Sequence, residues 1–207
     1  MGKETFRSYV EKFGFGTKTG IELDTEVAGT IEGLYKNKGD KVDCYTATAS
    51  FGQGITVTPL QMVTAFSALA NGGKLMKPYI VKRIEYANGK VDEVHPIEVR
   101  QVVDKHTADT VAAMMVRVVD YSEGIRGKVP AYYIAGKTGT AQIAGPGGYS
   151  AETNHSFIGF GPVDNPKFVM LIRLEKPQRS YANITAAPLF AQITTFLMSY
   201  YHIPPER

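Results

Sequence analysis

The sequence predicts an α+β fold in which an antiparallel sheet is packed by helices. Three strand candidates fall late in the chain with short connections, and amphipathic helical patterns stand at both ends. The chain has 207 residues, 43% hydrophobic and 21% charged, which is enough for one domain with a real core.

The first thirteen residues read as a helix with Phe6, Val10 and Phe13 on one face, stopped by Gly14 and Gly16. A turn-rich stretch with short strand candidates follows to about Asp43. The thirty residues from Cys44 to Gly73 carry no Asp, Glu, Lys or Arg. A spanning helix needs about 20 mostly apolar residues. Gly52-Gln53-Gly54, Pro59 and five Thr interrupt this run, so it reads as a turn feeding a helix inside a soluble domain.

That helix has a clear start. Thr58 caps, Pro59 suits the first helical position, and Gln61 completes a capping box. Leu60, Val63, Phe66 and Ala70 form its expected apolar face, and Gly72-Gly73 end it. Residues 79–86 and 90–94 flank Asn88-Gly89, a hairpin signal. A second helix is expected from about Thr107 to Tyr121, with Val111, Met114, Met115, Val118 and Val119 as its core stripe.

Ala131 to Ala135 reads as a strand leading into Gly136-Lys137-Thr138-Gly139-Thr140-Ala141-Gln142, and Ala144 to Asn154 as a Gly-rich loop. Strands are expected at Ser156 to Phe160 and Phe168 to Leu174. The closing helix places Leu189, Phe190, Ile193, Phe196, Leu197 and Tyr200 on one side, and Ile203-Pro204-Pro205 ends it. No internal repeat occurs and nothing marks a second domain.

Composition excludes several functions. The net charge of +3, from 23 basic and 20 acidic residues, is too even to predict nucleic-acid binding. Cys44 is the single cysteine, so neither an intrachain disulfide nor a cysteine metal site is expected. His95, His106, His155 and His202 are widely spaced and form no HExxH pattern; each reads as a surface or satisfied core residue, and no metal or cofactor is expected. The first residues have no apolar run behind their charges and do not read as a secretory signal. The sequons at Asn154 and Asn183 are short enough to arise by chance and carry no weight.

Lys-Thr-Gly occurs at Lys18-Thr19-Gly20 and at Lys137-Thr138-Gly139. The first copy sits in a glycine-punctuated turn and reads as a surface loop. The second follows an apolar segment and is flanked by small residues, so its strand edge can be approached closely. Gly136-Lys137-Thr138 ends like a phosphate loop, but the glycine required five positions earlier is Ala131. The dinucleotide fingerprint fails at Thr19, Val57 and Asp164, where its third glycine would stand.

Penicillin-recognising acyl-transfer enzymes combine Ser-x-x-Lys, Ser-x-Asn and Lys-Thr-Gly. The chain resembles the transpeptidase domain of class B penicillin-binding proteins along almost its whole length. The resemblance is carried by Ser50-Phe51-Gly52-Gln53-Gly54-Ile55-Thr56-Val57-Thr58-Pro59-Leu60-Gln61, by Ala68-Leu69-Ala70-Asn71-Gly72-Gly73 and by Ala135 to Gln142. Phe157-Ile158-Gly159-Phe160, Ile203-Pro204-Pro205 and the early Lys18-Thr19-Gly20-Ile21 add to it. No serine has lysine three positions later, and no Ser-x-Asn is present. The resemblance therefore implies a penicillin-binding-protein/β-lactamase-like fold that is incomplete at its amino terminus. Residues 1–207 would be the carboxy-terminal part of a single transpeptidase domain, with nucleophile, lysine base and membrane anchor upstream.

What the resemblance implies for function is a serine D,D-transpeptidase that cross-links peptidoglycan stem peptides ending in D-Ala-D-Ala and binds β-lactams. It would work at the outer face of the bacterial membrane beside a membrane glycosyltransferase. Lys137 and Thr140 are the implied catalytic residues, and Lys137, Thr138, Gly139 and Thr140 the substrate-binding ones. An extended peptide pairs with a strand edge. Lys137 supplies a cation there, Thr138 and Thr140 supply hydroxyls for the carboxylate, and Gly139 leaves room for the ligand. The Thr140 N–H is the implied oxyanion donor. Two other readings stay open. A carboxypeptidase or β-lactamase relative is opposed by Thr140-Ala141-Gln142 and the Ser50 to Leu60 block. A non-catalytic truncated fragment or binding module fits the missing Ser-x-x-Lys.

Overall fold

The computed structural model describes residues 1–145 and 147–207. Its contacts divide the chain into two compact units, residues 1–68 with 73–104 and residues 69–72 with 105–207.

In the first unit, α1 (Lys3–Lys12) forms where periodicity places it. Phe6 and Val10 pack against the cluster of Ile31, Leu34 and Ala49, and Phe13 packs against Ala68, Leu75 and Val102. The segment up to Asp43 holds a 3₁₀ turn, Glu32–Tyr35, and one isolated bridge, Thr30 to Thr56, in place of the expected strands. Inside the uncharged run a short helix, α2 (Cys44–Ala49), stands where no helix was expected. Asp43 explains it by caging two groups at once. One oxygen accepts from the Thr46 N–H at 2.8 Å, capping α2, and the other holds Lys3 Nζ at 2.8 Å. Lys3 is almost wholly buried and also donates to the Asn37 carbonyl at 2.8 Å. Its ammonium is the first cause that holds the Asp43 carboxyl well below the usual range.

The capping box of α3 (Pro59–Ala70) is formed reciprocally. The Gln61 N–H donates to Thr58 Oγ1 at 3.1 Å and the Thr58 N–H donates to Gln61 Oε1 at 2.9 Å. The buried face is Gln61, Ala65 and Ala68, not the expected Leu60, Val63, Phe66 and Ala70. Gln61 goes inward because its amide also donates to the carbonyls of Thr17 and Ala28, each at 2.7 Å. No helix among the described residues is long and apolar enough to cross a membrane.

Two small antiparallel pairs complete this unit. β1 (Lys74–Lys77) pairs with β4 (Ile97–Gln101), and β2 (Arg83–Glu85) pairs with β3 (Val91–Glu93) around Asn88-Gly89. The hairpin is shorter than expected.

The second unit contains α4 (Lys105–Tyr121), a three-stranded antiparallel sheet and α5 (Ala186–Tyr200). The sheet consists of β5 (Ala135–Gly145), β6 (Gly148–Gly161) and β7 (Phe168–Leu174), in that spatial order. Helices against an antiparallel sheet are the α+β arrangement expected. Phe157 and Phe190 meet at 4.6 Å between ring centroids, within a core that includes Val119, Val129, Ile134 and Met198. Gly136 and Gly159 are required by this packing. A Cβ on Gly136 would lie 2.6 Å from the Phe157 ring, and one on Gly159 would lie 2.6 Å from the Ala135 carbonyl.

Both helical stripes are displaced from their expected positions. α4 buries Ala108, Ala112, Met115 and Val119 and leaves Met114 61% exposed. Small alanines let the helix approach closely, which outweighs the larger methionine. α5 buries Ala187, Phe190, Thr194 and Met198, while Phe196 and Tyr200 face outward and stack on each other at 5.8 Å.

Candidate functional site

The second Lys-Thr-Gly lies on a strand, as expected, but that strand begins later than expected. Residues 131–134 are irregular, and β5 begins at Ala135 and runs through the motif to Gly145. Ala131 has φ 69, and its carbonyl accepts from the N–H groups of Glu206 and Arg207, so this stretch is tied to the end of the chain. The expected loop from Ala144 to Asn154 is also corrected. Ala144 pairs with Tyr149 and Gly145 with Gly148, and β6 continues through Asn154. Pro146, which that expectation included, lies outside the described residues.

β5 is an edge strand, since among the described residues only β6 pairs with it. The register sets Lys137 opposite Ile158, Thr138 opposite Phe157, Gly139 opposite Ser156 and Thr140 opposite His155. Burial changes along the strand. Ala135 and Gly136 are buried, Lys137 is exposed, Thr138 and Gly139 are half-buried, and Thr140 is exposed. The apolar start fixes the strand in the core, and the polar continuation brings four motif residues to the surface. Lys137 Nζ donates to the Thr138 carbonyl at 3.1 Å and to its Oγ1 at 3.3 Å, so the ammonium lies along the strand. A Cβ on Gly139 would fall 2.6 Å from Ser156 Oγ.

Thr140 is fixed from outside the sheet. Its Oγ1 accepts from the Ala182 N–H at 3.1 Å, which leaves the hydroxyl hydrogen available to an acceptor. Ala182 opens a 3₁₀ turn, Ala182–Ile184, ahead of α5. The strand and turn therefore bring Lys137, Thr138, Gly139 and Thr140 together on one edge beside a short strap.

His155 lies under this strap, fully buried, as a satisfied core residue. Its Nδ1 lies 2.8 Å from Thr185 Oγ1 and its Nε2 lies 2.9 Å from Thr153 Oγ1. Burial pushes its pKa down, which favours the neutral imidazole. Sequence reasoning read His155 as a surface or satisfied core residue, and the second of these holds. It missed the strap, because a turn that meets Thr140 from 42 positions away leaves no periodic signal.

The first Lys-Thr-Gly sits in an irregular segment, as expected. The Glu26 carboxylate accepts from the Thr19 N–H at 2.6 Å and from the Gly20 N–H at 3.0 Å, so this copy closes a local turn.

Comparison with known proteins gives a consistent result. The family model described as the penicillin binding protein transpeptidase domain matches residues 1–195. The chain is similar to stage V sporulation protein D of Bacillus subtilis, with 39% identity over 93% of this chain and 30% of that protein. It is similar to penicillin-binding protein PbpB of Mycobacterium tuberculosis, with 35% identity over 99% of this chain and 31% of that protein. A crystal structure of penicillin binding protein 3 from that organism, complexed with aztreonam, superposes with a TM-score of 0.87 at 33% identity. That match covers 99% of this chain and 48% of the crystallised one. The chain thus spans about a third of the length of these curated relatives.

Proposed function

Since the chain belongs to the family of penicillin-binding protein transpeptidase domains, we propose that it is part of a peptidoglycan D,D-transpeptidase in which β5 holds the donor peptide. The observation that supports this most is the position of Lys137 to Thr140 on a strand edge that no other described strand occupies.

The donor is an extended peptide ending in a carboxylate. Backbone groups of β5 pair with it. The hydroxyls of Thr138 and Thr140 donate to the carboxylate, and Lys137 adds a cation beside it. A serine attacks the amide between the two terminal D-Ala residues. The terminal D-Ala leaves with its amine protonated, an acyl-enzyme forms, and an amine of another stem takes the acyl group. The Thr140 N–H is one of two oxyanion donors, worth about 3 kcal/mol. Because no serine in the 207 residues has lysine three positions on, the nucleophile and its base come from outside them. β-Lactams mimic the donor and acylate the same serine. The complete protein works at the outer membrane face, held by an anchor outside this chain and partnered by a membrane glycosyltransferase.

The missing Ser-x-x-Lys equally favours a second reading, a chain that binds the peptide without acylation. Labelling of the complete gene product with a fluorescent penicillin separates the two. The first reading expects one stoichiometric label; an unlabelled, folded product favours the second.

A further inference from the structure

We propose that His155 and Thr185 are positioning residues for the Thr140 hydroxyl, acting through the strap from Tyr181 to Ala186; this rests on the reading of β5 as the substrate strand. Three connected observations carry it. Thr140 and His155 are cross-strand partners. His155 is anchored to Thr185, and Thr185 follows the turn whose first N–H is bonded to Thr140 Oγ1.

The proton positions follow from the inventory of donors. The Thr185 hydroxyl donates to the Tyr181 carbonyl at 3.2 Å. Its oxygen therefore accepts from His155, which places the imidazole hydrogen on Nδ1. Nε2 is then the acceptor, and the Thr153 hydroxyl donates to it at 2.9 Å. Both imidazole nitrogens and the Thr185 hydroxyl are used, in a site with no exposed surface at His155. Burying an imidazole is unfavourable unless both nitrogens are satisfied. An aliphatic side chain would fill that volume without tying the strap to β6, so the retained polarity acts to fix the strap.

The consequence falls on Thr140. A threonine hydroxyl on an exposed strand edge samples several rotamers. Accepting from Ala182 selects one and directs the hydroxyl hydrogen away from the strap. Ala182 itself is fully buried, so its amide has little freedom of its own. The hydroxyl is thereby held ready for a carboxylate, which spares the ordering cost at the moment of binding.

The test is the second-order acylation rate of the complete protein with a fluorescent penicillin, with thermal midpoints measured in parallel. Thr185→Val is expected to slow acylation about tenfold, and Thr185→Ser to return it within about twofold of wild type. In a Thr140→Val background, Thr185→Val should add less than about twofold, because both changes remove one function. Full-rate acylation by folded Thr185→Val, or an undiminished effect in the Thr140→Val background, would overturn the inference. Lys137→Ala is the control. If it leaves the rate unchanged, the substrate-strand reading itself fails; if it slows the rate while Thr185→Val does not, only the positioning role fails. Should Thr185→Val not fold, amide exchange of the unmodified protein decides. The Ala182 amide is expected to be as protected as the β6 amides, and exchange at the rate of an exposed loop would contradict the role.

Discussion

The Ala182 N–H and the Thr140 hydroxyl oxygen lie 3.1 Å apart and join two segments separated by 42 positions. This bond makes the surface threonine of the Lys-Thr-Gly-Thr strand part of the structure as well as part of the proposed site. Ala182 is fully buried, so its amide has no water to replace the hydroxyl. Thr140→Val is expected to cost about 1–3 kcal/mol, the penalty of a buried unpaired donor. Thr140→Ser should cost much less. Denaturant unfolding of both variants checks this, and equal stabilities for valine and serine would show that the bond contributes nothing.

Asp120 gives a pH dependence. Arg207 donates to both its oxygens at 2.7 Å, and Lys128 Nζ lies 3.0 Å away. Arg207 first, and Lys128 after it, lower the Asp120 pKa to about 2. The folded value is thus below the ordinary carboxylate value of about 3.9. The stabilisation is present above that ordinary value and is lost as pH falls through about 2. Asp120→Ala is expected to lower stability near neutral pH by about 1.5–3 kcal/mol, because Arg207 and Lys128, both partly exposed, lose the carboxylate they share. Its thermal midpoint should converge on that of wild type as the pH approaches about 2. Midpoint curves that stay parallel throughout would contradict the assignment.

The 207-residue chain alone is expected to form no covalent adduct with benzylpenicillin. No serine in it has a lysine placed three positions on to act as its base. Intact-mass measurement after incubation with excess drug checks this. A stoichiometric gain of one penicillin on any serine would mean that the chain carries an unrecognised nucleophile.

Local chemistry was legible in the sequence where one segment decides its own structure. Thr58 and Gln61 form their capping box, Asn88-Gly89 turns its hairpin, and Phe168 to Leu174 forms the strand expected. Legibility failed where distant partners decide. Gln61 is buried because carbonyls at Thr17 and Ala28 await its amide. Met114 is exposed because alanines bring α4 close. The Ala144 to Asn154 segment is rich in turn-forming residues, yet cross-strand pairing draws its ends into β5 and β6. In the candidate site, the four motif residues were readable through family resemblance. The strap and its bond to His155 were not, since residues 30 positions apart leave no pattern in the chain.

The central claim is that Lys137, and not Lys18, serves the substrate. Lys137 is exposed at the edge of β5, where a lone charge contributes little to folding, since exposed ion pairs are worth about 0–1 kcal/mol. In the proposed role, the same charge against a substrate carboxylate would form a charge-assisted bond worth about 1.5–3 kcal/mol. The direct test is the second-order acylation rate of the complete protein with a fluorescent penicillin, for wild type, Lys137→Ala and Lys18→Ala. Lys137→Ala should be slower by about tenfold to a hundredfold with an unchanged thermal midpoint, and Lys18→Ala should match wild type. Equal rates for wild type and folded Lys137→Ala would contradict the account.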